Sequence, residues 1–278
     1  MVATHAAGRM LKDAIFDANQ ACNEAIKIHG AENVTNATIG VVLNENGTLA
    51  TLPTVEKVFR NMNFNDFVAY APISGLPEYL NAVIDMTFTE KPNANLAAIA
   101  TAGGTGAIHH AIANYAERGD KVLTHDWRWG TYDVICNETG KFLDTFKLFD
   151  ADLNFNITDF AVKVDSILKK QKSLLVIINS PAHNPTGYAL SDSEWDNVIS
   201  VLKAQTAAGK HISLLVDIAY IVFAGEKAKT RAFMKKFSDL PDTFFAMIAF
   251  SMSKRFTFYG QRTGALIGTS SRQNVIDE

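Results

Sequence analysis

The stretch SMSKRFTFYGQRTGALIG, residues 251 to 268, sets Lys254 behind two serines and eight positions ahead of Arg262, with an aromatic run between them. Four further segments carry groups that could do chemistry. GGTGA (103 to 107) can turn backbone N–H groups toward an anion at the start of a helix, where the helix dipole helps. No Lys-Ser/Thr pair follows these glycines, so a nucleotide phosphate loop is not indicated, and a tight turn without a ligand reads equally well. DWRWGTY gathers Trp127, Trp129 and Tyr132 in one loop, suited either to stacking on a planar ring or to edging a core. HNPTG contains Asn184, and DIAY opens on Asp217 at the end of an apolar run. A carboxylate there is costly unless it meets a positive partner.

These segments share a position: each follows a short apolar run. The runs are NLAAIATAG (95 to 103), KVLTHD (121 to 126), FLDTFKLF (142 to 149), SLLVIINS (173 to 180), ISLLVDIAY (212 to 220), FFAMIAFSM (244 to 252) and GALIGTS (264 to 270). Amphipathic helical stretches lie between most of them. SDSEWDNVISVLKAQTAAG, for example, has a Ser cap, early acids and a Gly stop. Apolar strands alternating with helices predict an α/β domain of three layers with a mostly parallel sheet, from about residue 48 onward. Ligands of such sheets sit beyond the carboxyl ends of the strands. The preceding residues read as a helix and an arm that pack elsewhere.

Composition narrows the partners. The 278 residues are 47% hydrophobic, enough for a large core, and 26 basic against 29 acidic side chains leave a formal charge of −3. No cationic run suggests a nucleic-acid or membrane surface, and a small metabolite fits better. Cys22 and Cys136 stand far apart, giving neither a disulfide framework nor a metal site and fitting a reducing cytoplasm. MVATHAAGRMLKDAIF carries charge too early for a secretory leader, and no window approaches a membrane span. No metal is expected.

From about residue 36 to 268 the chain resembles the class I aminotransferases of the aspartate and aromatic type, which belong to the fold-type-I pyridoxal 5′-phosphate enzymes. IGVVLNENG, YAPISG, GGTGA, DWRWGTY, HNPTG, DIAY and SMSKRFTFYGQRTG stand in that family's order. Each fragment alone is weak; the ordered set, with its step from Lys254 to Arg262, is specific. The resemblance implies that all seven runs form the family's large-domain sheet, that residues 48–278 are the cofactor-binding domain, and that residues 1–47 are an arm belonging to a second, small domain. It implies that Lys254 forms the Schiff base with the cofactor aldehyde and then shuttles a proton, and that Asp217 pairs with the pyridinium nitrogen. Asn184 and Tyr220 match the groups that bond the ring's phenolic oxygen, with Asn184 also facing substrate. Gly104, Thr105, Ser251 and Arg262 match the phosphate cup, and Trp129 the aromatic stacked on the ring. Tyr70 matches a tyrosine that reaches the neighbouring subunit's phosphate, which implies a homodimer with shared active sites. Gly40 falls in the segment lying over the substrate, although an ordinary turn glycine is nearly as good a reading.

Two departures stand out. Three residues after Trp129 the aspartate-specific enzymes have a histidine supporting the cofactor-binding aspartate; Tyr132 is there instead, and a phenol can still donate a hydrogen bond. The motifs also end with the last sheet strand, whereas the family continues into the C-terminal half of the small domain, which supplies the arginine for the substrate α-carboxylate. Arg231 and Arg255 match neither family arginine. The expectation is a fragment or a natural truncation carrying the cofactor site without the whole substrate site. The leading function is amino transfer between an aspartate- or aromatic-type amino acid and a 2-oxo acid, within amino-acid metabolism and biosynthesis. A lyase on the same scaffold and a non-catalytic cofactor-binding or dimerisation module are the alternatives.

Overall fold

Runs rich in Val, Ile and Leu become strands wherever both faces can be covered, and the longest such runs lie at the centre of the sheet. The computed structural model describes residues 7–8 and 14–277. Most of the opening stretch read above for a leader, residues 1–6 and 9–13, lies outside them. The chain divides into two units, Met1–Ala50 and Thr51–Glu278. The first holds helix α1 (Ala14–His29), followed by an arm in which Leu43 bridges Leu49. Asn36 ties this arm to α1 through Asn19 at 3.0 Å.

The second unit opens with three helices, α2 (Pro53–Arg60), α3 (Phe64–Val68) and α4 (Pro77–Thr87), before β1 (Asn95–Ala102). Next come α5 (Gly103–Tyr115), β2 (Lys121–His125), α6 (Thr131–Glu138), β3 (Phe142–Phe146) and α7 (Ile157–Leu168). Strand β4 (Ser173–Asn179), α8 (Asp192–Ala207), β5 (His211–Asp217) and α9 (Lys227–Arg231) follow. The unit ends with β6 (Phe244–Ser251), the short α10 (Met252–Arg255), β7 (Thr263–Ser270) and α11 (Gln273–Asp277). The Ser cap read ahead of α8 is present as a reciprocal capping box of Ser191 and Glu194.

The seven strands form one sheet in the order β1-β7-β6-β5-β4-β2-β3, antiparallel only where β7 meets β1 and β6. It is the mostly parallel α/β sheet expected. Two adjustments apply. The runs 142 to 149 and 212 to 220 are strand only to Phe146 and Asp217, because the chain turns into loops at the sheet edge. The edge strand β1 is not apolar on two covered faces, and its Ile99 is exposed.

Alternation along the central strands divides the core. Val176, Ile178, Leu214, Val216, Ala246 and Ile248 pack on one side with residues of α7 and α8, where Trp195 stacks on Phe233 at 4.5 Å. Leu175, Ile177, Leu215, Met247 and Ala249 pack on the other with residues of α5 and α6.

Candidate active site

The same alternation decides where polar strand ends go. Counting on by twos from Ile177, Leu215 and Ala249 reaches Asn179, Asp217 and Ser251, so all three belong to the α5–α6 face at the carboxyl edge. Because β7 runs antiparallel, its beginning lies at that same edge, with Gly264 opposite Ser251 and Thr263 opposite Ala102. The eight-residue step from Lys254 to Arg262 therefore leaves the edge through α10 and returns to it.

Asp217 is buried. Its Oδ2 accepts from the Tyr132 hydroxyl at 2.7 Å and its Oδ1 from the Ala219 N–H at 3.0 Å. Tyr132 reaches it from the first turn of α6, so the phenol makes the supporting bond that its position suggested. Burial holds the Asp217 carboxyl above the usual range, with these two donors offsetting part of the rise. None of the ion pairs among the described residues includes Asp217.

Lys254 sits on α10 with its Nζ 5.6 Å from the centre of the Tyr220 ring and 5.1 Å from that of Tyr259. Burial first, and then the Arg262 guanidinium, hold its amine below the usual lysine range. That is the direction a nucleophilic or proton-moving amine needs. Tyr220 is pushed up by burial and then by Asp217, which keeps its phenol protonated.

Arg262 donates through Nη1 to Ser253 Oγ at 3.3 Å and through Nη2 to Thr105 Oγ1 at 3.4 Å. No side chain caps the N-terminus of α5, whose first residues are Gly103 and Gly104. A Cβ on Gly104 would stand 3.0 Å from the Ser251 Cβ, and one on Gly264 would stand 2.4 Å from the Gly103 carbonyl carbon. These close approaches bring the uncapped N–H groups, the Ser251 and Thr105 hydroxyls and the Arg262 guanidinium together, a donor set suited to a phosphate dianion. Pyridoxal phosphate fits these residues. The donor set suits its phosphate, and a pyridinium N–H would give the buried Asp217 carboxylate a cationic donor, which none of the ion pairs among the described residues supplies.

Trp129 lies edge-to-face on Tyr132 at 5.7 Å. Asn184 is half-buried, and its backbone N–H donates to Asn179 Oδ1 at 2.7 Å. Tyr70 is fully exposed, in a different stretch from these residues. Gly40 is exposed in the first unit. Arg255 lies over the Phe250 ring at 4.6 Å, and Arg231 is buried with donations to the Lys227 carbonyl and Thr230. Reading the sequence missed Asn179, His125 and Ser253. Asn179 closes an apolar strand directly opposite Asp217, so the argument that singled out Asp217 would have found it too. Among the described residues no group of three His, Cys, Asp or Glu could hold a metal ion, and no helix is long and apolar enough to cross a membrane.

The family model described as aminotransferase class I and II matches residues 32–278. An aromatic-amino-acid aminotransferase of Paracoccus denitrificans is 30% identical over 205 residues, covering 71% of this chain and 49% of the relative. An aspartate aminotransferase of Pseudomonas aeruginosa is 28% identical over 263 residues, covering 90% of this chain and 63% of the relative. The chain thus spans about half to three-fifths of the length of these relatives. The crystal structure of an aminotransferase from Anaerococcus prevotii superposes with a TM-score of 0.97 at 42% identity, over 100% of this chain and 68% of that one.

Proposed function

The chain belongs to the class I and II aminotransferase family, and from that premise we propose that it carries the cofactor site of an enzyme that moves an amino group between an amino acid and a 2-oxo acid. The observation that carries this reading is the meeting of Lys254, Asp217, Tyr220 and Arg262 at one sheet edge, with Lys254 held below its ordinary pKa. When bound, pyridoxal phosphate supplies an aldehyde that takes up an amine and a ring that accepts electrons.

The residues then have distinct tasks. With the cofactor bound, the Lys254 amine would hold its aldehyde end and would take and return a proton at the substrate α-carbon. The Asp217 carboxylate, oriented by Tyr132, holds a proton on the ring nitrogen. Tyr220 and Asn184 would hold the phenolic oxygen, and Trp129 would stack on the ring. Gly104, Thr105, Ser251 and Arg262 hold the phosphate. Residues 48–278 are the cofactor-binding domain in this reading, and residues 1–47, which include Gly40, belong to a small domain. Aspartate- or aromatic-type donors are inferred from the named activities of the relatives.

A homodimer with shared sites is part of the same proposal, in the cytoplasm and within amino-acid biosynthesis. Its support is an exposed apolar face on α2, α3 and the loop after α10, with a cavity of about 770 Å³ lined by Phe59, Phe64, Phe67, Phe256 and Phe258. Tyr70 and Ile73 stand fully exposed nearby in sequence.

Incubation with pyridoxal phosphate, borohydride reduction and peptide mapping tests the cofactor reading. One pyridoxyl group on Lys254 is expected; no adduct, or an adduct on another lysine, would overturn it. Conversion of 2-oxoglutarate to glutamate by an amino donor then distinguishes amino transfer from elimination, which releases ammonia.

A further inference from the structure

Behind Asp217 lies a hub that the functions above leave unused. Asn179 Nδ2 donates to the Asp217 backbone carbonyl at 2.8 Å, and its Oδ1 accepts from the Asn184 N–H at 2.7 Å. Its own backbone N–H donates to His125 Nε2 at 3.3 Å. A backbone carbonyl only accepts and a backbone N–H only donates, so both ends of the amide are assigned by their partners. The same logic makes His125 Nε2 an acceptor, so the ring proton sits on Nδ1 and goes to the Trp127 carbonyl at 2.8 Å.

The hub exists because of how two strands end. The β2–β4 seam is registered at Leu123 and Val176, after which β2 stops at His125 while β4 continues to Asn179. Two side chains then do what a ladder would have done. Thr124 Oγ1 donates to the Ile177 carbonyl at 2.9 Å, and His125 accepts from Asn179. Both histidine and asparagine are buried, so any of these partners left alone would cost the full desolvation of a polar group. His125 stays neutral in this place. Burial, with His183 packed edge-to-face at 4.4 Å and Arg128 adding a smaller push the same way, holds it down to about 3, against the Trp127 carbonyl and Asp126.

Resting on the cofactor reading above, we propose that Asn179, held by His125, is the positioning residue that sets Asp217 and Asn184 relative to each other. It links one group assigned to the ring nitrogen with another assigned to the phenolic oxygen. A single amide spanning the two would fix their spacing more tightly than either loop could alone.

Four variants test this: Asn179→Ala, Asn179→Asp, His125→Leu and His125→Gln. The readouts are the dissociation constant for pyridoxal phosphate, the pH midpoint of the bound cofactor's absorbance band, and urea unfolding without cofactor. Asn179→Ala should weaken binding roughly tenfold or more and move the pH midpoint. Asn179→Asp keeps an acceptor for Asn184 but turns an oxygen toward the Asp217 carbonyl, so it should also weaken binding. His125→Leu should follow Asn179→Ala, whereas His125→Gln, whose amide oxygen can accept where Nε2 did, should stay within about threefold of the wild type. Variants that lose stability yet keep the wild-type dissociation constant and pH midpoint would overturn the proposal, leaving a packing role only. If Asn179→Ala does not fold, the two His125 variants decide, since equal behaviour of Leu and Gln there is equally contrary. A wild-type chain that takes up no pyridoxal phosphate would instead sink the cofactor reading on which the proposal rests.

Discussion

At the scale of single residues, burial presses both Asp217 and Lys254 toward their neutral forms. Asp217 is a buried carboxylate held by two donors, and Lys254 an amine pressed toward neutrality. Asp217→Asn should leave cofactor bound but slow the amino-transfer half-reaction by about 100-fold or more, as measured by stopped-flow absorbance. Tyr132→Phe removes the hydroxyl that donates to Asp217 Oδ2, leaving the Ala219 N–H on Oδ1, and should cost about 1–3 kcal/mol in urea unfolding. His125 adds a pH dependence of its own. It is neutral in the fold with a pKa of about 3, against 6.5 ordinarily. Its contribution is therefore complete above pH 6.5 and is lost as pH falls toward 3, on the order of a few kcal/mol across that window. His125→Gln should flatten the stability profile between pH 6 and pH 4, roughly the span in which the unfolded imidazole charges and the folded one does not.

At the scale of elements, the strands were legible because their composition is nearly invariant along each run, and strand ends were legible because a polar residue interrupts it. Asp217 could be found that way; His125 could not, since its importance comes from β2 ending short of its neighbour β4, a difference in length that one strand's sequence does not contain. Likewise, Tyr132 was visible as a departure from a pattern, but its bond to Asp217 depends on how α6 lies on the sheet. Strand β7 shows another such limit. Its Gly264 packs against the turn from β1 to α5 so closely that a methyl group would collide with the Gly103 backbone. Gly264→Ala should force that turn outward, costing about 1–3 kcal/mol in stability and weakening phosphate binding, as read by pyridoxal phosphate titration.

At the scale of the whole molecule, an aromatic-lined face on α2, α3 and the loop after α10 has no cover among the described residues. If a second copy covers it, sedimentation should show a dimer, and Phe67→Asp should shift the equilibrium toward monomer by about tenfold or more through a charge buried at the contact. Strand order carries a further, kinetic consequence. The first strand of the sheet pairs only with the last, Ala102 lying beside Thr263, while the strands between them pair with nearer neighbours. On the ribosome, β2 to β6 can begin to assemble while β1 waits beside them with both edges unmatched. The proposed phosphate cup, which draws on the turn after β1 and on Arg262 just before β7, can close only after β7 has emerged and paired.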